Sequence, residues 1–458
     1  MSRTNGRSGI CDPLALRSIR SWIASLVIGS FLFYVLLLGF VTNVAEYAPG
    51  GPMHGTPIPD PLSSQKQEYT RYKMLETLHD HELNFGKSVS RIIVIGDIHG
   101  MWDSFRKLLV KLHFDSSSDF LIHIGDLVSK GPTSGSLDVL SYMTTHNVTG
   151  VRGNHDQLVI GWRAWIEHVL QHPGGREFIE ELDKKTKVEL KELTKFAENG
   201  LDDIKTPKWK RIPRGWDIST DHYHIARALS DAQFEYLLSL PLVLHVPFLH
   251  TFFVHAGLLP LDPRHGINSK HQPLAHLPLL NPAQELAVLN DIPQNVKPWN
   301  LLNMRSILED NTLTKNAKKG KAWAKLWNSI VNQCKGYDLK DDINAELDKQ
   351  NGNINLDGTN PKSHLVCHPL TVVYGHAASR GLDIKRWSKG LDSGCVYGRR
   401  LSALVLTPPN TSRLDLIDYE IDEEDAKDIS ISKSNRMMFG DRYPRIADAK
   451  VVSVGCND

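Results

Sequence analysis

Seven polar residues of this chain share a local context. Asp97, His99, Asp126, Asn154, His155, His255 and His376 each closely follow an apolar run and stand near a glycine. Asp, His and Asn together supply mixed oxygen and nitrogen donors, a set that suits Zn²⁺, Mn²⁺ or Fe. Two such ions sharing one carboxylate would clamp a phosphoryl group and activate water for in-line attack. One of these histidines alone would ordinarily be structural. Five strand ends carrying such residues in order point instead to a two-metal site.

The elements that must position them are short strands. "RIIVIGDIHG" (91–100) sets four apolar residues, Ile92 to Ile95, in front of a Gly, an Asp and a His. A β-branched run bounded by glycine reads as a strand buried on both faces. Asp97 and His99, two apart at its end, can point the same way. "DFLIHIGD" (119–126) and "VTGVRGNHD" (148–156) repeat the pattern, and "HTFFVHAGLLP" (250–260), "LTVVYGHAAS" (370–379) and "RLSALVL" (400–406) return to it later. Between the first two strands, "MWDSFRKLLVKLHF" carries apolar residues at helical spacing. The alternation predicts an α/β fold whose sheet gathers the polar residues along one edge. Residues 158–236 read as a helical insertion, with the charge run "REFIEELDKKTKVELKELTKFAENG" as a solvated face. Residues 262–365 read as irregular, and 408–458 as a C-terminal extension with no assignable chemistry. Trp299, Trp323 and Trp327 are expected in the core rather than as substrate platforms.

Composition adds limits. The chain has 458 residues, 41% hydrophobic and 23% charged, with a net charge of +1, so any anionic substrate must be drawn by local charge and no nucleic-acid polymer is expected. Five cysteines, Cys11, Cys334, Cys367, Cys395 and Cys456, are too few and scattered to predict a disulfide framework, and no CxxC spacing occurs. From Ser21 to Ala45 no residue is charged, and "WIASLVIGSFLFYVLLLGFV" matches the roughly 20 apolar residues of a membrane-spanning helix. Arg3, Arg7, Arg17 and Arg20 precede it and Glu46 follows, which predicts a cytosolic tail (1–20), a signal anchor (21–45) and a lumenal body. Residues 46–88, opening on "YAPGGPMHGTPIPDP", read as a lumenal linker. Sequons at Asn147 and Asn410 fit a glycoprotein with its body in a lumen.

"GDIHG", "GDLVSKG", "GNHD", "VHAG" and "VYGH", in this order, resemble the successive motifs of the calcineurin-like metallophosphoesterases. The branch resembled includes protein Ser/Thr phosphatases and symmetrical diadenosine tetraphosphatases. The tail "GLDSGCVYGRRLSALVL" (390–406) is similar to the tetraphosphatase side. With "PWNLLNMRSI" and the N-terminal anchor, the chain resembles the fungal vacuolar zinc-dependent endopolyphosphatases. The resemblance implies a two-sheet sandwich flanked by helices over 89–407. It implies two divalent ions, Zn²⁺ first with Co²⁺ or Mn²⁺ as alternatives. Asp97 and His99 would hold one ion, Asp126 would bridge, and Asn154, His255 and His376 would hold the other. His155 would protonate the leaving oxygen. The implied place is the vacuole membrane, single-pass, with the catalytic domain in the lumen.

One departure bears on the substrate. Protein phosphatases resemble "GDxVDRG", whereas this chain has Ser129 and Lys130 in place of the Asp that supports the histidine and the Arg that grips phosphate. Without that carboxylate, His155 is expected to be less firmly oriented. An anhydride, whose phosphate leaving group is a weak base, tolerates this better than a phosphoserine does. That favours polyphosphate or a dinucleotide over a phosphoprotein, and the resemblance implies endo-cleavage of inorganic polyphosphate. A symmetrical diadenosine tetraphosphatase is the alternative, and a protein phosphatase or an inactive binding module stands behind both. Lys130 and Arg152 are the expected cations at the reacting phosphate, and Arg305, Arg380 and Arg399 the expected substrate contacts, through charge and bidentate pairing. For Arg399 and its neighbour Arg400 a solvated or salt-bridged surface role is an equal alternative.

Overall fold

A computed structural model describes residues 72–198, 207–213, 215–276, 283–336, 365–408, 437–439 and 447–456. The expected anchor at 21–45, the cytosolic tail and the sequon at Asn410 lie outside them. Among the described residues no helix is long and apolar enough to cross a membrane.

The strands, in chain order, are β1 (Leu75–Thr77), β2 (Arg91–Ile95), β3 (Asp119–His123), β4 (Thr149–Gly150), β5 (Val243–Val246), β6 (Thr251–Val254), β7 (Ser306–Ile307), β8 (Leu313–Thr314), β9 (Lys321–Ala322), β10 (Thr371–Tyr374), β11 (Asp383–Ile384), β12 (Ser388–Gly390), β13 (Arg400–Thr407), β14 (Met437–Phe439) and β15 (Ala447–Gly455). They form two six-stranded mixed sheets, β1-β5-β6-β10-β12-β11 and β14-β15-β13-β2-β3-β4, and a small sheet β8-β7-β9.

Side-chain alternation explains why the two large sheets stack. Ile92 and Val94 of β2 join Leu404 and Leu406 of β13 in one apolar cluster with Leu244, Phe253 and Val373 of the other sheet. The residues between them, Ile93, Ile95, Ala403 and Val405, face helices on the outside. Phe252, Val254, Val372 and Tyr374 do the same for the first sheet, against Trp323, Trp327 and Leu301. Successive strand residues point to opposite faces, so a run that is apolar on both faces must be covered on both. Burying one such Ile or Val contributes about 1.5–3 kcal/mol, and Ile92 to Ile95 are all fully buried. The result is helix, sheet, sheet, helix in layers.

Strand direction places the site. β2, β3 and β4 are parallel in one sheet, and β6, β10 and β12 are parallel in the other. Their six C-terminal ends carry Asp97 and His99, Asp126, Asn154 and His155, His255, His376, and Asp392. The sequence predicted one edge of one sheet. The residues in fact come three strand ends from each of two sheets, because the sandwich aligns the two edges.

Several segments differ from the sequence reading. Residues 75–77, inside the stretch read as a linker, pair with β5 as an edge strand. Residues 447–455, inside the stretch read as an extension, pair along the full length of β13. Four cysteines form two disulfides, Cys334–Cys367 and Cys395–Cys456, pairings that the sequence left open. Their sequence separations of 33 and 61 carry no local signal; strand pairing brings them together. Trp323 and Trp327 are buried as expected, whereas Trp299 is only half-buried.

Candidate metal centre

Two carboxylate–histidine groups meet at this rim, Asp97 with His99 and Asp126, and Asp126 with His255 and His376; within each, one ligand atom per residue lies within 4.8 Å of the others. Asp126 belongs to both. All five residues are between 0 and 4% exposed. Asn154 joins through its Oδ1, 3.1 Å from His255 Nε2.

Backbone carbonyls orient the rings. Ile124 O lies 2.9 Å from His255 Nδ1, Val128 O lies 3.2 Å from His99 Nδ1, and Asn303 O lies 3.1 Å from His376 Nε2. Each carbonyl takes that nitrogen's N–H and turns the other nitrogen toward the carboxylates. The carboxylates are held as well. Asp97 accepts from His376 N at 3.0 Å and Asp126 from His155 N at 2.9 Å. A Cβ on Gly375 would lie 2.0 Å from Asp97 Oδ1, and one on Gly153 would lie 2.2 Å from Asp126 Oδ1. Only glycine lets the backbone approach so closely.

The backbone is strained here. Among the described residues ten non-glycine positions have positive φ, and five are His99, Asp126, Ser129, Lys130 and His376. Such conformations persist where surrounding structure enforces them, and they gather at functional sites.

The donor set fits divalent cations. Asn154 Oδ1 at 3.1 Å, His376 Nδ1 at 3.1 Å and Asp126 Oδ2 at 3.3 Å all converge on His255 Nε2. Burial opposes charge on His255, yet the Asp126 and Asp97 carboxylates raise it to about 9, so this point attracts positive charge. One proton cannot satisfy three converging acceptors; a cation coordinated by all of them can. His99 and His376 are pushed down by burial and stay neutral, with lone pairs available. Asp97 is raised, first by burial and then by Asp392, a further carboxylate that sequence reasoning did not single out. Its signal was legible: it too follows a strand beside a glycine-containing turn.

Asp156, the last residue of "GNHD", was also missed. Its carboxylate accepts from the backbone N–H groups of Asp126, Leu127 and Gly153 at 2.8–3.0 Å and fixes the loop that carries Asp126.

A larger correction concerns His155. Its Nδ1 lies 2.8 Å from Nε2 of His222, which comes from the segment read as a helical insertion and given no part in the site. Ser129 Oγ lies 3.0 Å from the same Nε2 and 3.0 Å from Asp221 Oδ1. Ser129 Oγ donates its one proton to Asp221. His222 is held from its other side as well, with Nδ1 3.1 Å from Thr220 Oγ1, whose own proton goes to Asp217 O. The ring expected to lack support is held by an imidazole, because a small Ser129 leaves room for one.

A cavity of about 410 Å³ opens beside the cluster, lined by Asp97, Asp126, His376 and Asp392 and by the cations Lys130, Arg305, Lys315, Lys318 and Arg399. Arg152 is not among its lining. That guanidinium is buried, donating to Gln157 Oε1 at 2.9 Å and Leu238 O at 2.7 Å, so the expected phosphate contact is replaced by a structural one. Arg380 also turns away, donating to Arg305 O and Ser306 Oγ. Arg305 bonds His376 O at 2.7 Å and Lys315 O at 3.1 Å while remaining in the wall.

Residues 90–259 match the sequence profile of the calcineurin-like phosphoesterases. Serine/threonine-protein phosphatase 1 of Salmonella typhimurium is 34% identical over 96 residues, 21% of this chain and 44% of that one. A symmetrical bis(5'-nucleosyl)-tetraphosphatase of Serratia proteamaculans is 35% identical over 129 residues, 25% of this chain and 44% of that one. The chain thus spans less than half the length of these curated relatives. A solved protein serine/threonine phosphatase from Saccharomyces cerevisiae overlaps with a TM-score of 0.31 at 12% identity, over 74% of this chain and 78% of that one. The matched segment covers the ends of β2, β3, β4 and β6, and β10 and β12 add His376 and Asp392 from beyond it.

Proposed function

We propose that this protein hydrolyses phosphoanhydride bonds, cutting inorganic polyphosphate within the chain. The observation that carries the reading is a buried two-group Asp/His cluster opening into a cavity walled by five cations. Asp97, His99 and Asp126 would hold one divalent ion, and Asp126, Asn154, His255 and His376 the other, with Zn²⁺ first and Co²⁺ or Mn²⁺ as alternatives. When bound, the ions supply Lewis-acid polarisation of the phosphoryl group and activation of the attacking water. The chain's own residues do the rest. Lys130 and Arg305 draw the phosphate oxygens, and His155, positioned by His222, serves as the acid for the leaving oxygen.

A second reading, a symmetrical dinucleoside tetraphosphatase, is favoured by Tyr397, an aromatic ring 60% exposed in the cavity wall where a base could stack. The body is proposed to be lumenal at the vacuole membrane. The arginine-flanked apolar segment supports this, as do two disulfides, which persist in oxidising compartments. Protease added to intact organelles should then spare the body, and its digestion would refute the placement.

The deciding experiment incubates the full-length protein with long polyphosphate and, separately, with diadenosine tetraphosphate, and resolves the products on a gel. Shorter polymers with little early free phosphate are expected from the first. Preferential release of ADP from the second would move the assignment to the other reading. Asp126→Asn should lose bound metal and activity together while keeping its circular dichroism; full metal content in that variant would remove the two-metal basis.

A further inference from the structure

The wall of the cavity opposite the strand ends comes from a part of the chain that looked irregular in sequence. Between Arg305 and Lys321 there are five cations, Arg305, Lys315, Lys318, Lys319 and Lys321, against two carboxylates, Glu309 and Asp310. The small sheet β8-β7-β9 holds this stretch, with Ser306 paired to both Thr314 and Ala322. The turn between β8 and β9 has a fixed shape. Asn316 N donates to Thr314 Oγ1 at 3.1 Å, and Asn316 Oδ1 accepts from Lys318 N at 2.9 Å, an Asx turn. Gly320, at φ +71°, lies so close to Ile307 O that a Cβ would come within 2.2 Å of it.

This turn is also tied to the metal centre. Arg305 bridges them, donating to His376 O with one arm and to Lys315 O with the other. Lys315 and Lys318 therefore stand at a set position relative to Asp97 and Asp126 across the cavity they line together. Neither ammonium makes an ion pair or side-chain hydrogen bond among the described residues, and both are exposed. Two exposed cations on an ordered turn thus line the same cavity as the carboxylates Asp97, Asp126 and Asp392.

We propose that the Lys315–Lys318 turn is a distal phosphate subsite, which holds residues of a linear polyphosphate beyond the pair flanking the scissile bond. The proposal rests on the phosphoanhydride reading above and deepens it. A floor that holds metals binds the phosphates being separated. The turn binds the next ones along, so affinity rises with chain length and a chain is gripped away from its end. Lysine suits such a subsite, because a compact point charge on a flexible stem accepts any of a row of equivalent phosphates. The contacts are exposed, so their contribution is screened by salt.

The test uses the full-length protein and two probes, tripolyphosphate and long-chain polyphosphate. In Lys315→Gln/Lys318→Gln, KM for the long chain should rise on the order of 10-fold, more than for tripolyphosphate, with a weaker salt dependence. Lys315→Arg/Lys318→Arg should restore most of the long-chain affinity. Binding of the long chain is measured in parallel in an Asp126→Asn background, where turnover is stopped. An equal change on both probes, or none, in a protein that cleaves polyphosphate overturns the subsite and leaves the functional reading standing. Lysine-dependent long-chain binding in a protein that cleaves no phosphoanhydride supports the subsite and overturns the functional reading. Absence of both cleavage and lysine-dependent binding overturns the two together.

Discussion

His155 and its neighbours decide how the leaving oxygen is protonated. In the pattern this chain departs from, a carboxylate supports the histidine; here His222 does so, with Ser129 and Asp221 behind it. Replacing His222 by Ala removes one buried hydrogen bond from His155, worth about 1–1.5 kcal/mol, so kcat should fall on the order of 10-fold. The fall should steepen as the leaving group becomes more basic, because only such groups need the proton. A series of aryl phosphates and phosphoanhydrides of graded leaving-group pKa measures this. A uniform loss across the series would assign His222 to packing alone. Ser129→Asp, which the protein-phosphatase pattern would suggest as a repair, sets a second carboxylate against Asp221, whose Oδ1 lies 3.0 Å from Ser129 Oγ, and should impair rather than help.

At the level of elements, the β5–β6 hairpin shows how the sheet is secured at the end away from the site. Glu285, from the helix Ala283–Asn290, takes hydrogen bonds from His245 on β5 and His250 in the turn. Burial pushes its carboxyl up, but these two imidazole contacts outweigh burial and hold it below its ordinary 4.5. A folded value below the unfolded one stabilises the protein above pH 4.5, and that contribution is lost as pH falls through the folded value. Melting temperature should therefore drop steeply below pH 4.5 in the wild type. Glu285→Gln should melt lower at neutral pH yet lose less over the acid range. Parallel acid slopes in the two proteins would show that Glu285 does not govern this window.

Across the whole molecule, the disulfides connect distant parts of the chain to the site. Cys395 sits between Asp392 and the cavity residues Tyr397 and Arg399, and its partner Cys456 follows β15. Closing a 61-residue separation stabilises by about 4 kcal/mol in the chain-entropy view. Cys395→Ser/Cys456→Ser should lower unfolding free energy by that order, read by denaturant titration. It should also raise KM, since β15 and the wall carrying Arg399 lose their tie. Unchanged stability would mean that pairing of β15 with β13 alone holds the last strand.

The sequence by itself determined the strand ends and their chemistry. Runs such as Ile92–Ile95 have one physical solution, burial on both faces, and the polar residue after each must then lie at a sheet rim. That reasoning reached Asp97, His99, Asp126, Asn154, His155, His255 and His376, all brought together by the fold. The same rule extends to Asp392, at the end of β12. Tertiary structure alone decided which cations face the cavity. Arg152 and Arg380 look as available in sequence as Arg305 and Arg399, but side-chain direction depends on packing from elements far away, such as Leu238 for Arg152 and Ser306 for Arg380. The same holds for His222, which meets His155 across 67 residues, and for cysteines paired across 33 and 61. Local pattern records what a residue needs, and long-range contact decides which partner supplies it.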